Sequence, residues 1–130
     1  MEDAEQVVRE IWSRWNGGER GADPELIDPE IEVHSDLARG VFQGADGLER
    51  WSAEIDEQFD DWNLEIDEVQ TLDDGRLLVT GRVHGRGRQS QIDLDVVATW
   101  LVEVRDGRML RLYNFLGPEG AQRAESEISP

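Results

Sequence analysis

Apolar residues in this chain recur first with a helical period and then, beyond residue 63, with a period of two. Ala4, Val7, Val8, Ile11, Trp12 and Trp15 fall on one stripe, so the spacing predicts an amphipathic helix over residues 3–16. Gly17 and Gly18 follow and predict its stop. Pro24-Glu25-Leu26-Ile27 reads as a short second helix with proline in its first turn. Residues 31–35 read as a short strand, and the segment 40–44 carries Val41 and Phe42. A third helix is expected from near Asp46. It would hold Leu48, Trp51, Ile55, Phe59 and Trp62 on one side, and Glu49, Glu54, Asp56, Glu57 and Asp60 on a solvated side.

From there the alternation predicts strands over 64–69, 76–85, 92–104 and 109–116. Asp73-Asp74-Gly75 and Arg105-Asp106-Gly107 supply turn residues that tolerate positive φ. Gly85-Arg86-Gly87-Arg88 reads as a loop or an irregular strand end. Helices first and antiparallel strands afterwards predict an α+β fold, with three N-terminal helices packed on one face of a curved, mostly antiparallel sheet. One domain spanning 1–130 is expected, with a polar tail over 122–130 that frays.

Composition narrows the chemistry. Cysteine is absent and all 13 basic side chains are arginine, which removes disulfides, thiolate chemistry and lysine Schiff bases. A formal charge of -17 repels phosphate backbones and anionic bilayers, so neither nucleic acid nor membrane is an expected partner. The acidic first residues carry no apolar leader, and a cytoplasmic protein is the default. No cofactor is expected, and no metal either, because neither the histidines nor the carboxylates show ligand spacing.

The only two histidines, His34 and His84, close strand-like stretches, and imidazole is the side chain best suited to moving protons near neutral pH. The period of two puts Arg82 and His84 on one face. Asp95, out of phase with the apolar residues of its strand, is expected to face away from the core with Asp93. Trp12 and Trp15 are expected to pack the first helix on the sheet, and Tyr113 and Asn114 to lie on opposite faces.

Val33-His34-Ser35, the run from Gly40 to Gly47, Phe59-Asp60-Asp61-Trp62, Gly85-Arg86-Gly87-Arg88 and Arg105-Asp106-Gly107-Arg108 occur in an order that resembles the nuclear transport factor 2-like superfamily, in its SnoaL-like branch. The resemblance runs from Val7 to Ala124 and implies a cone-shaped fold around an apolar pocket, often dimerising through the sheet. It also implies a hydrophobic small molecule as ligand (polyketide, steroid or terpenoid-like) and an isomerase, cyclase or hydrolase reaction. His34 stands where the isomerases place their base, and Arg82, His84 and Asn114 stand where the epoxide hydrolases place their catalytic set. The implied catalytic group is thus His34, Arg82, His84 and Asn114. Trp15, Phe42, Trp51, Ile55, Phe59, Trp62 and Trp100 are the expected pocket liners, with Phe42 at the mouth. The family's acidic donors align with Ile11, Gly117 and Thr99 or Trp100, so a non-enzymatic binding or dimerisation module is the alternative. A homodimer is expected through an outer apolar face formed by Val79, Val83, Leu101 and Val97.

Overall fold

A computed structural model describes residues 3–19 and 23–128. Helix α1, Ala4–Asn16, begins where the Asp3 side chain accepts from the Glu5 amide, and ends at Gly17, whose amide reaches back to the Ser13 carbonyl. Its buried stripe is Val7, Val8, Ile11, Trp12 and Trp15, as the spacing predicts. Strands β1 (Ile27–Ser35) and β2 (Gly40–Gln43) form a hairpin, followed by α2, Gly44–Gln58. Strands β3 (Phe59–Thr71), β4 (Leu77–Gly87), β5 (Asp93–Arg105) and β6 (Arg108–Leu116) complete one curved, open sheet in the order β2-β1-β6-β5-β4-β3. All neighbouring pairs are antiparallel except β1 with β6. The last element is α3, Gly120–Ile128.

The architecture is α+β, but the expectation of three N-terminal helices fails: only α1 lies there. Residues 24–26 make a single turn, in which the Leu26 and Ile27 amides both donate to the Asp23 carbonyl, and the chain then extends into β1. The Met109 amide claims the Leu26 carbonyl for the sheet, so no helical turn can continue. The helix expected to run to Trp62 stops at Gln58. Phe59 is extended and pairs with Gly87, so Trp62 reaches the core from β3. Of the tail expected to fray over 122–130, residues 122–128 belong to α3, with Ala124 wholly buried, and 129–130 lie outside the described residues.

Alternation assigns every strand residue to one of two faces. Ile31, Val33, Ser35, Leu112, Asn114, Trp100, Val79 and Val83 share the inner face, under α1 and α2. Glu32, His34, Tyr113, Leu101, Thr99, Arg82 and His84 share the outer face. The outer apolar surface expected from Val79, Val83, Leu101 and Val97 therefore divides. Val79 and Val83 belong to the core, Leu101 is buried on the side where α3 packs against β5 and β6, and Val97 alone is exposed. Arg123 holds α3 down with both guanidinium nitrogens on the Asp36 carboxylate and its charge over the Phe115 ring. Gly81 is required on β4, because a Cβ there would sit 1.8 Å from the Glu65 carbonyl oxygen, beside a bulge in β3.

Candidate functional site

An open cavity of about 310 Å³ lies where the end of α1, the segment before β1 and the start of α2 meet. Its apolar wall is Ile11, Trp15, Leu26 and Ile27, and its charged lining is Arg14, Glu19, Asp23 and Glu49. Arg14 is fixed there by ion pairs to Glu10 and Asp23. Of the expected pocket liners, Trp15 is the one that reaches this cavity.

Behind Trp15 the indoles fill the interior. Trp15 stacks on Trp12 at 5.3 Å and leans on Trp51 at 5.3 Å; Trp12 meets Trp100 edge-on at 5.6 Å, and Trp51 meets Trp62 edge-on at 6.2 Å. Trp51, Ile55, Trp62 and Trp100 are thus core residues. Phe59 is half-buried against them. Phe42 is not at the mouth: it is buried beneath the Arg50 guanidinium, with Gly47 pressed against its backbone. The physical reason is close packing, since five indoles in one small domain satisfy each other's apolar surface before any ligand does.

A polar seam crosses this interior. Ser35 Oγ accepts from Trp51 Nε1 at 2.9 Å and from the Leu37 and Ala38 amides at 3.1 Å each, and donates to Asn114 Oδ1 at 3.4 Å. Trp62 Nε1 donates to Asp56 at 2.6 Å. By contrast, Trp12 Nε1, Trp100 Nε1 and Asn114 Nδ2 are buried and meet no acceptor among the described residues. A buried donor left unpaired costs about 1–3 kcal/mol.

His34, Arg82 and His84 stand on the other side of the sheet. Val33 and Ser35 face inward, so His34 between them faces out, away from the pocket in which the resemblance implies a catalytic base. Its ring stacks on Tyr113 at 4.3 Å and its Nε2 lies 2.5 Å from Glu32 Oε1. Arg82 and His84 do share one face, as expected, and meet at Asp95: Arg82 Nε is 2.7 Å from Asp95 Oδ1, and His84 Nδ1 is 3.6 Å from it. His84 Nε2 also contacts Glu65 at 2.7 Å. The Arg82 hydrogen bond holds the Asp95 carboxyl below its ordinary range. Asn114 is the member of the expected catalytic set that lies inside, and Tyr113 lies opposite it as alternation requires. The sheet separates Asn114 from the other three.

Sequence reading missed Ile11, Leu26 and Ile27 as cavity wall and Arg14 and Glu49 as charged lining. Their signal was positional: Arg14 borders the apolar stripe of α1 in its last turn, and Glu49 sits one residue from inward Leu48. Ser35 was visible only as the neighbour of His34. Among the described residues there is no cluster of three or more metal-ligating side chains, and no helix is long and apolar enough to cross a membrane.

A family profile described as a SnoaL-like domain matches residues 8–112. No protein with a curated description matches the chain. Similar solved structures include a nuclear transport factor 2-like protein from Burkholderia thailandensis, with 19% identity, TM-score 0.77 and coverage of 96% of this chain and 98% of that one. A hypothetical protein from Catenulispora acidiphila with a ketosteroid isomerase-like fold, in complex with trimethylamine, has 12% identity, TM-score 0.73 and coverage of 91% and 90%. TerC, co-crystallised with polyporic acid, has 14% identity, TM-score 0.69 and coverage of 95% of each chain. At these identities the likeness is one of fold.

Proposed function

Because the chain belongs to the SnoaL-like domain family, we propose that it binds an apolar small molecule, of polyketide, steroid or terpenoid kind, in the cavity beside Trp15. The observation that carries this reading is the cavity itself. It is concave, walled by Ile11, Trp15, Leu26 and Ile27, and lies at the small end of the usual range for ligand pockets. The TerC structure, with the same fold and polyporic acid, is in keeping with such a ligand.

The proposal is confined to binding, because the residues expected to catalyse do not line the cavity. An isomerase, cyclase or hydrolase needs a proton-moving group facing its substrate. Both histidines and Arg82 lie across the sheet from the cavity. The layer behind Trp15 offers indoles, a hydroxyl and an amide. Carboxylates among the described residues reach the cavity through Glu19, Asp23 and Glu49, and Asp23 is engaged by Arg14. A homodimer through the outer face is confined, in this proposal, to the β3–β5 flank around Val97 that α3 leaves open; light scattering giving a monomer at micromolar concentration would remove it.

The test of binding is titration with the uncharged dye N-phenyl-1-naphthylamine. One dye per chain is expected. Leu26→Trp, which fills the cavity, should weaken it at least about tenfold, and His34→Ala should leave it unchanged. Equal binding by a natively folded Leu26→Trp variant would overturn the reading.

A further inference from the structure

The wall of the cavity beside Trp15 is apolar, but its charged lining is unbalanced: one guanidinium, Arg14, stands against three carboxylates, Glu19, Asp23 and Glu49. Arg14 is already met twice, by Glu10 at 3.0 Å and by Asp23. Glu19 and Glu49 are exposed and have no ion pair among the described residues. Glu19 reaches the cavity from beyond α1 and Glu49 from α2, so the fold and not the local sequence brings the two charges together. Glu10 and Glu25 line the adjoining concavity, which shares Arg14 and Leu26 with this one, and the field there has the same sign. Carboxylates alone would be an ordinary solvated surface. What makes these informative is the apolar hollow of about 310 Å³ that they border.

We infer that this cavity selects an organic cation: an amine, protonated at neutral pH, on a compact apolar body. The inference rests on the proposed binding beside Trp15 and adds the charge of the ligand. Burial against Ile11, Leu26 and Ile27 holds the apolar body whatever its headgroup, so the headgroup decides between ligands. A carboxylate or phosphate would bring a like charge to Glu19 and Glu49, in a chain whose net charge is already -17. Arg14 does not offset that repulsion, since Glu10 and Asp23 hold its guanidinium. An uncharged ligand covers the wall but strips water from the two carboxylates and returns nothing. An ammonium returns charge-assisted N–H···O bonds, which are stronger than neutral ones.

The test is calorimetric titration of the whole chain with one apolar cage carrying three headgroups: 1-aminoadamantane (cationic), 1-adamantanol (neutral) and adamantane-1-carboxylate (anionic). The amine should bind about fivefold or more tighter than the alcohol, the carboxylate should bind weakest, and the lead of the amine should shrink as salt is raised. Glu19→Gln combined with Glu49→Gln should erase most of that lead and leave the affinity for the alcohol unchanged. Asp67→Asn combined with Glu68→Gln removes the same charge from exposed positions on β3 that do not line the cavity, and should leave the lead intact. An equal loss in both double variants would assign the preference to the overall charge of the chain and overturn the inference. Equal affinity for amine and alcohol, or tighter binding of the carboxylate, would overturn it too and leave the cavity proposal standing. If none of the three cages binds while N-phenyl-1-naphthylamine does, the inference falls alone; if the dye fails as well, the cavity proposal falls with it.

Discussion

His34 and Ser35 are consecutive, yet they belong to two different proteins in physical terms. Ser35 faces the helices, where one hydroxyl collects an indole and two backbone amides and touches Asn114. His34 faces outward, where Glu32 and the Tyr113 ring hold it beside solvent. The contrast runs along the whole sheet. Inner positions carry indoles, aliphatics and neutral polar groups at fixed hydrogen bonds; outer positions carry the ion pairs Arg82–Asp95 and Arg111–Glu103 and both histidines. On the sheet, charge is thus kept on the outer face, while the charged lining of the cavity, Arg14, Glu19, Asp23 and Glu49, comes from the helices and the segment before β1. The difference teaches that ionisable residues on a strand are informative about function only once their face is known.

The sharpest break of this comparison is expected at the centre of the inner face. Trp100→Ala removes a fully buried indole that braces Trp12, and a loss of about 3–5 kcal/mol is expected in denaturant unfolding. Next comes Ser35→Ala. It leaves the Trp51 indole and the Leu37 and Ala38 amides without their acceptor, so about 1–3 kcal/mol should be lost. His34→Ala, one residue away, should cost less than about 1 kcal/mol in the same measurement. If the two neighbours prove equally costly, the division between faces is wrong.

Much of this was legible in the chain. The stripe of α1, the alternation of β3 to β6 and the turns at 73–75 and 105–107 are local patterns, and local patterns survive folding. The facing of His34 was also legible: the period that puts Ile31 and Val33 inside puts Glu32 and His34 together outside. The resemblance to enzymes with a base at that position pulled the reading the other way. Helix α3 was hidden because its inward residues, Gly120 and Ala124, are small and give no apolar stripe. The unpaired donors were hidden for a deeper reason. Whether an indole finds an acceptor depends on how five of them pack in three dimensions, and no spacing records that.

A smaller effect concerns the anchor of α3. Burial works against the Asp36 charge, but the Arg123 hydrogen bonds and the Leu116 amide outweigh it and leave the carboxyl below its ordinary range. A carboxyl depressed in the folded state contributes stability that is present above its unfolded value, about 3.9, and lost as pH falls through the folded one. The protection factors of the α3 amides, that is, exchange corrected for its intrinsic pH dependence, should therefore be flat from neutral pH to about pH 4 and fall below it. In Asp36→Asn they should be lower at neutral pH and lose that fall. Because Arg123 is half-exposed, the pair contributes about 1 kcal/mol or less.

The smallest effect belongs to the outer cluster. Arg82 and Asp95 are joined at 2.7 Å, but both side chains are well exposed, so water replaces either partner when the other is removed. Arg82→Gln should leave the unfolding midpoint and dye binding where they were. What should change is local: the Asp95 carboxyl loses the hydrogen bond that lowers it, and its titration, followed by the side-chain carboxyl carbon resonance, should move up toward the ordinary aspartate range. His84 at 3.6 Å offers only a weaker substitute. An altered dye affinity in this variant would mean that the outer face communicates with the cavity through the sheet, and the separation drawn between the two faces would then hold for geometry but not for energy.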